Sequence, residues 1–575
     1  MRHPLHVVLP LVAVLLLLGL DHGLPYRYVP DDSVVKCALG MARDAGGGEL
    51  GLAQALVPPS GKYTTYPYLL PYLSLGAVGA RYVVGRITGE WGGAGEFAES
   101  VFDDPTPAWF AVRLLFALIT LALPWAVYRA ARELDRDRAE AGVAALLAGT
   151  SLLVVQYAHT TRPWAPMVTF GALALTFTLR LRRRRDGRAA AGAFGFAALA
   201  GASHPAGLAA LGIPVLGALL FRLRPSVTIT GLVLSLALLL GLGFPYLVVH
   251  GEDTGQGVIE SADEAGVQIG GQAFDPTAFG GRHAAKTARS WLGYEPVLVL
   301  AGFVGLWRLR RRDGRAWWLL GPPAAAFAVA FLLYDGTHVR YLMPTTPFLA
   351  LGAAAALREA ARRVPGRAPK LLLAAVVALP LVQAARLDVL LSRTDTRTLA
   401  VELALAASSE DDVLAVDGFG SYYGPPLTPS SASLLAVMDK VPLNRSEQRI
   451  LQRADAGLPE PETARHVFPV GRFYRFDSYY PTDYLQPDAP RDLQSVFEEW
   501  SVTVYVQVDR LPDEARRQPI TDMLAWWGGL VGELSPTGRR APALAELPTD
   551  MAFPLTDLWT YERPGPWIRV WRIRR

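Results

Sequence analysis

The sequence predicts a polytopic α-helical membrane protein of about eleven spans, followed by a C-terminal extracytoplasmic α/β domain. Three observations lead there. The 575-residue chain is 51% hydrophobic and only 19% charged, where an ordinary globular domain carries about 25% charged residues. Its mean hydropathy is +0.23, and the apolar residues come in separate blocks rather than evenly. Arginines gather in alternate connections between those blocks, as cationic loops that resist translocation do.

In order, the blocks are 5–20, 108–128, 141–157, 163–180, 189–202, 206–221, 227–249, 292–307, 316–334, 340–357 and 370–387. A straight crossing takes about 20 residues, and 141–157 and 189–202 are shorter than that. The first block reads as an uncleaved span, because Gly19-Leu20-Asp21-His22-Gly23 lacks the small-x-small pattern of a signal-peptide cleavage site. With a cytoplasmic N-terminus, the inner loops hold Arg129, Arg132, Arg136 and Arg138, then Arg180 and Arg182 to Arg185, then Arg222 and Arg224. Later inner loops hold Arg308, Arg310 to Arg312 and Arg315, then Arg358, Arg362, Arg363, Arg367 and Lys370. The short outer turns carry only Arg162 and Arg340. An odd span count places the region after about residue 390 outside a plasma (inner) membrane.

The net charge of +4 and pI near 9.0 follow from the inner arginines. No basic patch interleaved with aromatics stands at groove-reading spacing, so nucleic acid is not an expected partner. Cys37 is the only cysteine, which excludes an intrachain disulfide.

The membrane module, 1–390, has two sizeable outer loops at about 21–107 and 250–290. In the first, Asp31 to Arg43 predicts a helix: Pro30 precedes it, Asp31 or Asp32 can cap it, and Gly46-Gly47-Gly48 ends it. Tyr63, Tyr66 and Tyr68 follow in an aromatic segment suited to the lipid–water interface. The second loop is Gly- and Asp-rich, the composition of a mobile connection. In the tail, 391–575, Asp412–Asp417 and Ser501–Val508 read as strands, and 567–575 as a final edge strand. Helices are expected around 397–408 and 513–533. The tail shows no nucleophile elbow, metal-ligand cluster or P-loop, and reads as a packing or acceptor-binding cap.

Several outer-face residues are candidates for chemistry. Asp31 and Asp32 form an acidic pair just beyond the first span, and Asp103 and Asp104 form a second at the mouth of the next. Either pair also fits an ordinary helix N-cap. Arg340 and Arg162 are costly at the membrane boundary without a task, contacting an anion or anchoring in the interface. His204 sits in a turn of small residues, as phosphate donor or as cap. His159 and His338 also lie at outer helix ends, without metal-ligand spacing.

Pro30-Asp31-Asp32-Ser33-Val34-Val35-Lys36-Cys37-Ala38-Leu39 and Tyr66-Pro67-Tyr68-Leu69 resemble the opening of polyprenyl-phosphate-sugar glycosyltransferases. These GT-C-fold enzymes include protein O-mannosyltransferases and lipid A aminoarabinose transferases. Tyr157-Ala158-His159-Thr160-Thr161-Arg162-Pro163-Trp164 is similar to their third-to-fourth-helix turn, and Ala202-Ser203-His204-Pro205 to the next outer turn. His338-Val339-Arg340-Tyr341-Leu342-Met343-Pro344 resembles the entry to a late helix. The resemblance covers about 1–390 in layout. Two positions depart from it: Trp164 stands where an aspartate is frequent, and His204 where a lysine is.

The resemblance implies an inverting transferase on the outer face with a polyprenyl-phosphate sugar as donor and a lipid, glycan or protein as acceptor. It implies Asp31 as general base, with Asp32 orienting the acceptor or ligating a divalent cation where one is used. It implies no cofactor other than that divalent cation. Arg340, Arg162 and His204 are the implied contacts to the donor phosphate, and Asp103 and Asp104 are candidates for acceptor or metal. The competing classes are a transporter or lipid flippase, which would show paired repeats and interrupted helices, and a non-catalytic scaffold, in which the acidic pair is dispensable.

Overall fold

The computed structural model describes residues 3–26, 28, 33–47, 51–64, 66–250, 259–262, 266–269, 272–274, 279–335, 338–416, 424–439, 443, 445–461, 463–469, 494–495, 497–509, 514–538 and 558–574. Asp31 and Asp32 lie outside the described residues, as do Gly48 and Asp417. The chain divides into two compact units, one within 1–21 and 31–388, the other within 22–30, 389–544 and 549–575.

The first unit is helical, and each of the eleven apolar blocks falls on a helix. Backbone groups in hydrocarbon have no water to bond, so an apolar segment satisfies them within itself. By length and composition, Thr106–Glu133, Trp164–Leu181, Pro225–Gly243, Gly314–Leu333 and Arg367–Ala406 can each cross a membrane, the last through its apolar first helix Arg367–Leu391. The count rises from five to seven if each of two bent pairs is one span: Arg138–Gly149 with Leu152–Ala158, broken by 53°, and Ala284–Tyr294 with Pro296–Arg312, broken by 103°. Leu5–Leu17 and Pro205–Phe221 are shorter apolar helices. The chain is a polytopic helical membrane protein. Ile229, Val233 and Leu236 stand exposed on Pro225–Leu238, the side chains a lipid-facing helix presents.

One carboxylate serves both breaks. Buried Glu295, at the 103° bend, accepts from Ser151 Oγ (2.5 Å) and from the Leu153 N–H (3.1 Å). It thereby satisfies the start of Leu152–Ala158, where the other pair is interrupted. Pro296–Arg312 and Thr346–Arg363 cross at glycines: a Cβ on Gly305 would lie 1.8 Å from the Gly352 carbonyl oxygen. Arginines of the loops expected on the inner side make ion pairs as well. Asp137 pairs with Arg358 and Arg362, and Glu359 with Arg308, Arg312 and Arg363.

The first outer loop is more ordered than a chain of interface anchors. It holds helices Ser33–Gly46, Leu69–Thr88 and Ala94–Asp103. Tyr68 points inward, 1% exposed, its hydroxyl donating to the Pro58 carbonyl (2.6 Å) among Cys37, Met41, Phe244 and Tyr246. Burial pushes the Cys37 thiol up to about 12, so it packs as an uncharged apolar group. Tyr63 donates to Asp44. Burial would push the Asp44 carboxyl up, but bonds from Lys62, Arg43 and Tyr63 hold it at about 2. Tyr63 and Tyr68, expected at the interface, thus bond within the loop through their hydroxyls. The second outer loop, expected as an open connection, contains three short antiparallel strands: β1 (Ile259–Ala262), β2 (Gly266–Ile269) and β3 (Gln272–Phe274).

The second unit is a three-layer α/β sandwich. Strands β4 (Val413–Val416), β5 (His466–Pro469), β6 (Val504–Asp509), β7 (Gly528–Leu534) and β8 (Trp567–Ile573) form one sheet in the order β5-β4-β6-β8-β7. Leu414, Val504, Val506, Ile568 and Val570 face Ala400 and Ala404 of helix Thr396–Ala406. On the other face, Ala415, Tyr505, Trp571 and Ile573 pack with Ile520 and Leu524 of helix Glu514–Trp527. Two expectations are corrected here. The final strand is interior, because β6 and β7 pair with it along its two edges. The helix expected over 513–533 stops at Trp527, where Gly528-Gly529 hands the chain to β7.

Candidate functional site

Three turns of the membrane unit converge on His204. Its own turn follows helix Gly187–Ser203, and Pro205 starts the next helical stretch without needing an N–H partner. His204 Nδ1 accepts from the Ala206 N–H (3.1 Å), a local cap. Gly207 lets the turn close: a Cβ there would lie 2.1 Å from the Ala200 carbonyl oxygen. The second turn carries Arg162, whose N–H donates to Thr160 Oγ1 (3.2 Å), and then Pro163 and Trp164 at the start of helix Trp164–Leu181. The third is Val339–Thr345, which carries Arg340 and Tyr341.

Ring contacts join the turns. Trp164 lies 4.3 Å from His204 and 5.3 Å from Tyr341, centroid to centroid, and Tyr66 lies 5.5 Å from His204. Arg162 Nη1 donates to Tyr66 Oη (3.2 Å). Arg340 Nη1 donates to His338 Nδ1 (3.2 Å), and its guanidinium sits 5.3 Å from the Tyr341 ring centroid.

The electrostatics fix the state of His204. Burial, then the charges of Arg340 and Arg162, push its imidazole down to about 3. It is therefore neutral at physiological pH. With Nδ1 accepting from Ala206, the proton is on Nε2. That Nε2 is buried and has no hydrogen-bond partner among the described residues, and the Trp164 indole N–H shares this condition. Both residues are 1% exposed. A buried donor without a partner costs about 1–3 kcal/mol, so two side by side beside two guanidiniums form a place prepared for an acceptor-rich anion.

The structure thus brings together Arg162, Arg340 and His204, the three residues expected at a phosphate. It adds Trp164, in the sequence only a departure from the family pattern, and Tyr66, expected there as an interface anchor. The unpartnered indole N–H is visible only with the fold in hand. Asp104 turns out to serve a helix start, its Oδ1 accepting from the Thr106 N–H (2.9 Å), and Asp103 beside it is exposed. His159 also does structural duty, its ring nitrogens each 2.7 Å from a carbonyl oxygen, of Val155 and of Leu18. Among the described residues no three His, Cys, Asp or Glu side chains gather as a metal site needs.

Residues 101–248, about a quarter of the chain, match the family model for dolichyl-phosphate-mannose-protein mannosyltransferase. The resemblance expected from the turn motifs is borne out across this segment, which contains Arg162, Trp164 and His204. No curated protein sequence matches the chain. Among solved structures, ArnT from Cupriavidus metallidurans bound to undecaprenyl phosphate is similar at 12% identity and a TM-score of 0.43, over 95% of this chain and 99% of that one. The archaeal oligosaccharyltransferase AglB from Archaeoglobus fulgidus, in complex with an inhibitory peptide and a dolichol-phosphate, is similar at 15% identity and a TM-score of 0.43, over 94% of this chain and 74% of that one. At these scores the overlays carry no residue-by-residue correspondence.

Proposed function

We propose that this chain is a membrane glycosyltransferase that moves a sugar from a polyprenyl-phosphate donor to a lipid, glycan or protein acceptor on the extracytoplasmic face of the plasma membrane. The observation that carries the reading is the gathering of two guanidiniums and two unpartnered N–H donors around His204, largely within the segment that matches the mannosyltransferase model. Inner arginines and outer site turns support a cytoplasmic N-terminus and an extracytoplasmic domain over 391–575.

In the reaction, the acceptor oxygen attacks the anomeric carbon as the bond from that carbon to the donor phosphate oxygen breaks. The bonding pair stays on the phosphate. Arg162 and Arg340 neutralise the added charge, while His204 Nε2–H and Trp164 Nε1–H bond the phosphate oxygens without adding charge of their own. Tyr66 orients the Arg162 fork. Asp31 takes the proton of the acceptor hydroxyl, the role the sequence resemblance gives it, and attack opposite the leaving phosphate inverts the anomeric centre.

The test incubates purified protein with polyprenyl-phosphate sugars and follows release of polyprenyl phosphate. Asp31→Asn should lower turnover by about 10²–10⁴-fold, the usual contribution of a general base. Normal turnover in that variant sinks Asp31 as base. Absence of turnover by the wild type with any lipid-linked sugar sinks the transferase reading.

A further inference from the structure

The α/β unit has a cleft of about 440 Å³, within the size range of small-molecule sites. Its walls come from the turn before β6 (Glu498, Ser501), the end of helix Glu514–Trp527 (Trp526, Trp527) and the last residues of β8 with Arg574. The Arg574 N–H donates to the Trp527 carbonyl (2.8 Å), which ties the two latter walls together. Trp527 packs inward against Phe497, whereas Trp526 is 80% exposed. Glu498 accepts from Gln494 through Oε1 (3.1 Å), and the Arg574 side chain has no ion-pair partner among the described residues. Ser501 has φ +51°, a left-handed conformation that favours glycine over a residue with a side chain. The cleft rim thus keeps a hydroxyl where the backbone alone would favour none.

We propose that this cleft binds a neutral saccharide chain, a site separate from the arginine cluster of the membrane unit and not dependent on the transferase reading. The chemistry selects the class. The Glu498 carboxylate and the Arg574 guanidinium leave the rim without net charge, so it gives no net attraction to an acidic or a basic ligand, and a purely apolar one would strip water from both. A sugar presents a C–H face to the Trp526 indole and hydroxyls that donate and accept, which suits a carboxylate, a guanidinium and a hydroxyl on one rim.

Saturation-transfer NMR tests this on the full-length protein in nanodiscs, without lipid-linked donor, using maltotriose, cellotriose and mannotriose. At least one should give a saturable response, weakened about tenfold by Trp526→Ala and also weakened by Arg574→Ala. Trp526→Phe, which keeps an aromatic face, should hold affinity within about threefold. Three results overturn the proposal: no saturable response up to about 10 mM, a response that Trp526→Ala leaves unchanged, or binding of an aromatic peptide with none of the trisaccharides. Unchanged hydrogen exchange across β6 and β8 in the alanine variants shows that the unit stays folded.

Discussion

Arg397 is the position in the α/β unit where one substitution should cost most. Its guanidinium is 2% exposed and grips Asp395 with two bonds, Nε to Oδ1 (2.9 Å) and Nη2 to Oδ2 (2.7 Å). Nη1 donates to the Tyr28 carbonyl (3.1 Å), and the guanidinium carbon lies 3.9 Å from the Tyr28 ring centroid. Asp395 also caps helix Thr396–Ala406, accepting the Arg397 N–H (2.8 Å). Arg397→Leu leaves a buried carboxylate without its countercharge, which costs about 3–5 kcal/mol. Hydrogen-exchange mass spectrometry on β4 and β6, the central strands, reads this locally. At about 1.4 kcal/mol per decade, exchange should quicken by roughly two to three and a half orders of magnitude if these strands open with the clamp.

The pH dependence gives the sharper check. In the wild type, burial would push the Asp395 carboxyl up, but the charge and hydrogen bonds of Arg397 outweigh it and hold the group below its ordinary value. A depressed carboxyl contributes stability that is present above the unfolded value near 3.8 and is lost as pH falls through the folded one. Without the Arg397 guanidinium, burial, the largest influence, outweighs the remaining backbone N–H of residue 397 and the charge of His22, and the sign reverses: the carboxylate costs stability at neutral pH and the cost shrinks as it protonates. The deficit of Arg397→Leu should therefore fall by up to about 1.4 kcal/mol per pH unit between pH 7 and 5. Adding Asp395→Asn, which keeps a capping side chain and removes the charge, should restore most of the loss. A deficit equal at both pH values, with no rescue by the double variant, refutes the reasoning.

Two further predictions concern the membrane unit. His204 is held neutral in the folded protein down to about pH 3, while the unfolded chain takes up its proton near 6.5, so stability falls as pH drops between those values. The loss is roughly 2 kcal/mol at pH 5, and thermal melts of His204→Asn should show less acid sensitivity than the wild type; equal sensitivity would place the imidazole elsewhere. Gly305→Val forces the crossing of Pro296–Arg312 and Thr346–Arg363 apart, since its Cβ would sit 1.8 Å from a backbone oxygen, and should abolish the monodisperse peak in size-exclusion chromatography. Gly314→Ala, with open space around it, should not.

The two halves of the chain were legible to different degrees for physical reasons. Lipid leaves an apolar block one way to satisfy its backbone, so hydrophobicity located the eleven apolar blocks, whereas helices Leu69–Thr88 and Ala94–Asp103 of the first loop went unforeseen. In the soluble unit, β4 and β6 announced themselves by valine-rich runs. β7 did not, because Gly528-Gly529-Leu530-Val531 has neither clear alternation nor helical spacing. The place of β8 inside the sheet depends on which strands pair with its two edges, and a strand's own residues do not report that. Long-range pairings were least legible. Nothing in the local sequence of Glu295 says that it will cap a helix 144 residues upstream, through Ser151 and Leu153.

The two departures from the family pattern, Trp164 for an aspartate and His204 for a lysine, looked independent in sequence, and each weakened the expected donor site. In the folded chain these two rings are neighbours, 4.3 Å apart. One potential negative charge and one potential positive charge are therefore absent from the same spot, so the exchange leaves the net charge around Arg162 and Arg340 unchanged. What changes is the manner of binding. In the proposed transferase, a lysine would hold a phosphate by a mobile charge, whereas the fixed N–H of a neutral His204 and the indole of Trp164 would hold it by direction, with the positive charge supplied by the two arginines. Such a site should depend more steeply on Arg340 than one with a third cation, and should tolerate His204→Lys poorly, because a third positive charge would be buried against two others. Read together, the substitutions argue for a retained anion site with altered geometry rather than for a lost one.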